Sequence, residues 1–187
     1  MARNTDKIDY RDDYYRGISA FYFNKILETI IEFGLLKDEP GAILDYGCGV
    51  GHLKKKLNSG NVVGYDIIPE LSDIDDFKSL KPAKIVASNV LEHMYKEEID
   101  ELLITFLKMN PSAPLLVSIP TENLISRLAM KLNNCPQAHD DHVTDYKTIN
   151  NLIEKFYYPE KRKYIFFRMS QVTKYIPRRE LFDKQKV

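Results

Sequence analysis

The sequence predicts an α/β fold with a mostly parallel sheet, and three observations carry that prediction. Short apolar runs recur at residues 42–46, 61–65, 84–88 and 115–119. Segments with a single apolar stripe at helical spacing lie beside them, at residues 14–33 and 96–108. The run 115–119 is apolar but for Ser118 and stops at Pro120, as expected of a strand buried on both faces. Strands that alternate with helices place the helices on the faces of a parallel sheet.

Taken in order, Ile18, Tyr22, Ile26, Ile30 and Phe33 follow helical spacing, and Gly34 is a C-terminal stop. Asp38-Glu39-Pro40-Gly41 turns the chain into strand 42–46, which enters a glycine loop, and a helix follows over 52–57. Asn58-Ser59-Gly60 leads into strand 61–65, which ends at Asp66; residues 70–79 are acidic and lack periodicity. After strand 84–88, Ile99, Leu102, Leu103, Phe106 and Leu107 form one helical stripe. Beyond strand 115–119 the pattern gives a helix over 123–132 and a polar loop with His139-Asp140-Asp141-His142. A helix capped by Thr144 follows, with Ile149, Leu152, Ile153 and Phe156 as its stripe. Residues 164–168 and 172–176 read as a C-terminal antiparallel strand pair. With no repeat and no linker, the 187 residues are expected to form a single domain, its ends (1–13 and 178–187) flexible.

Composition narrows the function classes. Hydrophobic residues (44%) and charged residues (29%) make an ordinary globular mixture. The 27 basic residues balance the 27 acidic ones, so net charge points to neither nucleic acid nor a membrane surface as partner. Lys54-Lys55-Lys56, Lys161-Arg162-Lys163 and Arg178-Arg179 read as solvated faces. Cys48 and Cys135 show neither metal nor redox spacing. With a polar N-terminus and no apolar stretch of bilayer length, the expectation is a cytoplasmic protein with free thiols.

The chemistry concentrates in Ile43-Leu44-Asp45-Tyr46-Gly47-Cys48-Gly49-Val50-Gly51. Gly47, Gly49 and Gly51 let the backbone turn sharply and approach a ligand closely. In parallel α/β sheets ligands bind beyond the C-terminal strand ends, where this loop lies. A phosphate-binding loop needs Gly-Lys-Ser/Thr at its end, and His52-Leu53 follows here instead. A dinucleotide fingerprint needs a third glycine where His52 stands. Asp66, nineteen residues after Gly47, is placed to accept both ribose hydroxyls of a nucleoside, and Ile67 to pack on its base.

This segment resembles the first motif of the Rossmann-like, class I S-adenosylmethionine-dependent methyltransferases. Val63-Gly64-Tyr65-Asp66 resembles their second motif. Residues 85–93, Ile85-Val86-Ala87-Ser88-Asn89-Val90-Leu91-Glu92-His93, are similar to their fourth-strand motif, and Leu115-Leu116-Val117-Ser118-Ile119-Pro120 to the strand after it. The likeness covers roughly residues 40–160 and implies a three-layer sandwich with S-adenosylmethionine as donor and S-adenosylhomocysteine as product. It implies that Asp45 lies near the methionine part, with Gly47, Cys48, Gly49 and Gly51 lining the pocket. By the same likeness Asp66 holds the ribose, and Ser88, Asn89 and Val90 line the adenine and sulfonium region. One departure stands out: only eighteen residues separate Asp66 from Ile85, where the family fits a helix and a third strand. The third-strand region is therefore expected to be abbreviated, with Asp75, Asp76 or nearby backbone left to read the adenine amine.

Methyl transfer from a sulfonium requires chiefly alignment, with a general base for a hydroxyl or amine acceptor. His93, His139 and His142 are the candidates for that role. Small-RNA 2′-O-methyltransferases carry a Glu-x-x-Glu-His segment and a later Asp-His pair around a divalent metal; Glu92-His93 and Asp141-His142 resemble part of it. Asn89 stands in place of the first Glu, so no metal is assigned from the sequence. The aromatic start (Tyr10, Tyr14, Tyr15, Phe21, Tyr22 and Phe23) reads as part packing helix, part lid, with Tyr14 and Tyr15 near the pocket. The expected activity is methyl transfer to a small-molecule or glycan-like acceptor. The alternatives are a metal-assisted RNA 2′-O-methyltransferase and a non-catalytic cofactor-binding module. The acceptor and the oligomeric state are not legible.

Overall fold

In the computed structural model, residues 17–121 and 142–178 are described. Helix α1 (Gly17–Gly34) ends where expected, though Leu35 rather than Gly34 takes the left-handed conformation, with φ 50°. Strand β1 (Ile43–Tyr46), helix α2 (His52–Leu57), strand β2 (Val62–Tyr65) and strand β3 (Lys84–Ser88) follow. Helix α3 (Lys96–Met109), strand β4 (Leu115–Pro120), helix α4 (Tyr146–Glu154), strand β5 (Tyr157–Ile165) and strand β6 (Ser170–Pro177) complete the order.

The strands form one sheet in the order β2-β1-β3-β4-β6-β5. The first four are parallel, and β6 runs antiparallel to both neighbours. All four residues of β1 are buried, which is why the run reads as continuous rather than alternating. Successive side chains leave opposite faces, so Leu44, Ile85, Leu115 and Val117 pack with Ile99, Leu103 and Phe106 of α3 and Ile149 of α4. Ile43, Val86 and Leu116 pack the other way, against Ile26 and Ile30 of α1 and Leu53 of α2. These are the three layers of a Rossmann-like sandwich, mostly parallel with an antiparallel C-terminal pair.

Between β2 and β3 the chain makes only two short 3-10 turns, Pro69–Leu71 and Phe77–Ser79. No third strand forms there, and β2 is left as the sheet edge. The abbreviated region expected from the spacing is thus present.

Two elements differ from the sequence reading. Thr144 does not cap α4; Asp145 does, accepting from the amides of Lys147 and Thr148, while the Thr144 hydroxyl donates to the Met94 carbonyl. Two adjacent capping residues look alike in sequence, and the tertiary contact of Thr144 decides between them. The last two strands are longer than 164–168 and 172–176, and Phe166, Phe167 and Arg168 lie in the turn between them. Most of β5 is exposed on both faces, so it carries no apolar alternation to betray it. Its register shifts between Pro159 and Lys161, where proline cannot donate to the ladder. The helix expected at 123–132 and the lid residues Tyr10, Tyr14 and Tyr15 lie outside the described residues. Among those described, no helix is long and apolar enough to cross a membrane.

Candidate active site

At the C-terminal end of β1 the chain turns through Gly47, Gly49 and Gly51, all left-handed, with φ of 73°, 51° and 75°. The Gly47 and Cys48 amides both donate to the Tyr65 carbonyl, at 2.7 and 3.1 Å, tying the loop to the end of β2. A Cβ on Gly47 would overlap a methyl of Val90, so glycine is required there by contact as well as by φ. That contact also brings Gly47 together with Val90, two predicted site residues from different strand ends.

Asp66 is fixed by backbone. Its Oδ2 accepts from the Gly49 amide at 2.9 Å and its Oδ1 from the Ile68 amide at 3.1 Å. A carboxylate offers about four lone-pair sites, so two remain for a ligand. Ile67 beside it is 60% exposed. Asp45, two residues before the loop, is 4% exposed. Burial, then the charges of Asp66 and Asp73, push its carboxyl up to about 7. Burial followed by the same cluster of acids pushes the Cys48 thiol up to about 12, so it is no nucleophile at neutral pH.

A cavity of about 310 Å³ opens on the α2 side of the loop, walled by Asp45, Cys48, Gly49, Gly51, Leu71 and Asp73 among others. Asp66, Ile67 and the residues Ser88, Asn89 and Val90 are not in its wall. The predicted donor residues thus divide between this cavity and the strand ends beside it. Sequence reasoning missed the buttress. Asp73 accepts from the Gly64 amide at 2.7 Å and pairs with Lys54 at 2.9 Å. A glycine inside a strand was the available signal: a Cβ on Gly64 would lie 2.7 Å from the Cys48 sulfur. Of the residues expected near the adenine amine, Asp76 caps its own turn through the Lys78 amide, and Asp75 is exposed.

Past β3 lies a second group. Asn89 is left-handed, with φ 53°, and its amide donates to the Ser118 carbonyl. The Ser118 hydroxyl donates to Asn89 Oδ1 at 3.0 Å, which leaves Ser88 to donate to Ser118, at 2.9 Å. The chain then makes a 3-10 turn over Leu91–His93. The Glu92 carbonyl accepts from the amides of Val143 and Thr144, at 2.8 and 3.2 Å, which docks the segment carrying His142 onto this turn. The rings of His93 and His142 meet edge to face with centroids 4.9 Å apart. Ligand-type atoms of Glu92, His93 and His142 all lie within 4.8 Å of one another, and Glu92 is buried. Two of the three predicted histidines are therefore brought together; His139 lies outside the described residues.

Helix α1 overhangs this group. Tyr22 hydrogen-bonds Ser170, and its hydroxyl is pushed up by burial, against that bond, with the Glu92 charge adding to the rise. The grouping of Glu92-His93 with His142 was legible in the sequence as a partial motif; the backbone docking of the His142 segment on the Glu92 carbonyl was not, because only the fold makes it.

A family model described as a methyltransferase domain matches residues 18–158. A search of curated proteins finds no match. Among solved structures, the N-methyltransferase NodS from Bradyrhizobium japonicum WM9, in complex with S-adenosyl-L-homocysteine, is 12% identical, covers 91% of this chain and 93% of its own, and has a TM-score of 0.67. Magnesium protoporphyrin IX methyltransferase (ChlM) from Synechocystis PCC 6803, with bound SAH, is 15% identical, covers 89% and 97%, and has a TM-score of 0.59. The PH0226 protein from Pyrococcus horikoshii OT3 is 14% identical, covers 90% and 97%, and has a TM-score of 0.67. The match over most of the chain, on a sheet that carries the glycine loop and its acidic partner in order, makes this chain a member of the methyltransferase-domain family, an enzyme of the class I S-adenosylmethionine-dependent type.

Proposed function

We propose that the protein methylates a small-molecule or glycan-like acceptor at oxygen, nitrogen or carbon, with the donor held at the glycine loop. The observation that carries this reading is Asp66 locked to the Gly49 amide, an acid at the end of β2 aimed by the loop itself. S-adenosylmethionine supplies an electrophilic methyl on a sulfonium when bound. The residues present fit it: bare glycine backbone, two acids against a cationic ligand, and an exposed apolar Ile67 for a base. Asp66 holds the ribose through its remaining lone pairs, Asp45 and the backbone of Gly47, Cys48, Gly49 and Gly51 receive the amino-acid part, and Ser88, Asn89 and Val90 line the rest. His93 and His142 hold or remove the acceptor's proton, with His139 a third candidate. Magnesium protoporphyrin IX methyltransferase, which shares the fold and whose name gives a small-molecule acceptor, supports a small acceptor here. A cytoplasmic setting belongs to the same proposal, on the unpaired pattern of Cys48 and Cys135.

Calorimetric titration with S-adenosylhomocysteine tests the donor site. Saturable binding is expected, and a wild-type protein that does not bind would sink the reading. Binding without turnover of S-adenosylmethionine across acceptor panels would favour a non-catalytic module.

A second reading has its own observation. Glu92, His93 and His142 offer one carboxylate and two imidazoles at converging positions, a donor set that suits a divalent ion. Metal-assisted transfer, as in the RNA 2′-O-methyltransferases whose motif the segment resembles, follows from it. Titration with Mn²⁺, followed by electron paramagnetic resonance, is expected to show one site that His142→Ala abolishes. Equal Mn²⁺ uptake by the variant would remove this reading and leave the histidines as bases.

A further inference from the structure

Asp45 is an acid set in an apolar strand. Its neighbours across the sheet are Gly64 on β2 and Val86 on β3, neither of which offers a charge or a side-chain donor. The residue is 4% exposed, and among the described residues its carboxyl accepts no hydrogen bond and forms no ion pair. An ionised carboxylate is costly in such a place unless something compensates it. The groups that face it oppose ionisation further. Asp66 at the end of β2 and Asp73 beyond it repel a negative charge, and Cys48 on the glycine loop is held as a neutral thiol. On α2, Lys54 is engaged by Asp73 at 2.9 Å, and Lys55 is exposed.

Asp45 is nevertheless not sealed inside protein. It walls the cavity of about 310 Å³ between the glycine loop, α2 and the segment of Glu70, Leu71 and Asp73. A ligand group that enters there meets three acids, one of them already paired to a lysine. Without a cation beside it, Asp45 keeps its proton up to about neutrality, since burial and then the charges of Asp66 and Asp73 hold its carboxyl at about 7. A cation in the cavity supplies the one charge these surroundings lack. Opposite charge at short range favours the ionised form and reverses the balance that burial sets.

Resting on the methyltransferase reading above, we infer that Asp45 is a neutral acid in the free enzyme and ionises when the amino-acid ammonium of the donor binds beside it, so that donor loading responds to pH. The O–H bond of the carboxyl breaks, the electron pair stays on Asp45 as carboxylate, and the proton leaves to solvent. Only the ionised form attracts the ammonium, so apparent affinity scales with the fraction of enzyme in that form. That fraction rises with pH up to the carboxyl's own value, near 7, and is complete above it. The site therefore loads at and above neutrality and empties in acid. Donor and product carry the same ammonium, so both respond, whereas a nucleoside without the amino-acid part does not.

Calorimetry reads the proton directly, because the heat of binding then varies with the ionisation heat of the buffer. S-adenosylhomocysteine is compared with 5′-methylthioadenosine, which keeps the nucleoside thioether and lacks the ammonium. At pH 6 the first is expected to release about one proton and the second none. From pH 6 to pH 8 affinity for the first is expected to strengthen about tenfold, and for the second to change less than about twofold. Asp45→Asn is expected to bind S-adenosylhomocysteine with no proton release and no such dependence on pH. Equal proton release by the two nucleosides, release that persists in Asp45→Asn, or none from wild type at pH 6 would overturn the inference. The comparison of nucleosides needs wild type alone, so it decides even where the variant does not fold. A wild type that binds both without exchanging a proton keeps the donor site and removes only the switch; one that binds neither removes both.

Discussion

The donor end and the acceptor end of this site are built from different materials. The donor end is backbone: Gly47, Cys48, Gly49 and Ile68 contribute amides, and a buttressed pair of strand-end acids supplies charge. Apart from Ser88, Asn89 and Val90, its proposed parts come from residues 43–73. The proposed acceptor end is side chain: His93 on the Leu91–His93 turn and His142 meet there, with Tyr22 of α1 close enough to feel the Glu92 charge. The contrast follows from the tasks. A donor common to many enzymes is met by a short-range geometry of amides and bare glycine, whereas an acceptor specific to one enzyme is met by rings and titratable groups that only the fold collects.

The largest expected effect tests the electrostatic cost of the donor end. Burial and two neighbouring acids raise Asp45 from 3.8 to about 7. A raised carboxyl stabilises the folded state fully below the unfolded value, near pH 4, and that contribution is lost as pH rises through about 7. At about 1.4 kcal/mol per unit the total is on the order of 4 kcal/mol. Asp45→Asn keeps the shape and removes the charge. Urea unfolding without cofactor should find the variant close to wild type at pH 4 and more stable by roughly that amount at pH 8. A difference that does not change with pH would mean the Asp45 charge is already compensated.

This asymmetry also governs what was legible in the sequence. The limits of α2 and β3 and the missing third strand follow from local pattern: glycine spacing, apolar runs, and a count of residues between Asp66 and Ile85. The glycine loop and Asp66 are legible for the same reason, since the hydrogen bond between Gly49 and Asp66 joins two positions that each carry their own sequence signal. Residues 166–168 were read as the end of a strand because Phe-Phe-Arg carries none of the usual turn chemistry. The docking of His142 on the Glu92 turn runs through backbone groups that no side-chain pattern announces.

Next in size is Asp66→Ala. It removes a carboxylate that accepts from two amides and so releases the Gly49 loop as well as any ribose contact. Hydrogen bonds to a charged group are worth about 1.5–3 kcal/mol each, so S-adenosylhomocysteine affinity should fall about 100-fold or more by calorimetry. Because Glu92, His93 and His142 do not depend on this carboxylate, Mn²⁺ uptake there should be unchanged. Loss of both would show that the two ends fold as one unit.

Ser118→Ala has the smallest expected effect and addresses the seam between the ends. Ser118 is fully buried, and its hydroxyl bridges Ser88 and the left-handed Asn89, from which the chain leaves β3 for the acceptor turn. Removing a buried hydroxyl from satisfied partners costs about 1–2 kcal/mol, measurable as a lower urea midpoint with an unchanged slope. Donor affinity rests on Asp66 and the glycine loop, so S-adenosylhomocysteine binding should shift less than about threefold, under 0.7 kcal/mol. Mn²⁺ uptake at Glu92, His93 and His142 that weakens by more than the donor response would place Asn89 on the acceptor side of the seam. The reverse would show Ser118 supporting Ser88 and Asn89 in the donor lining proposed for them, where their likeness to the family's fourth-strand motif puts them.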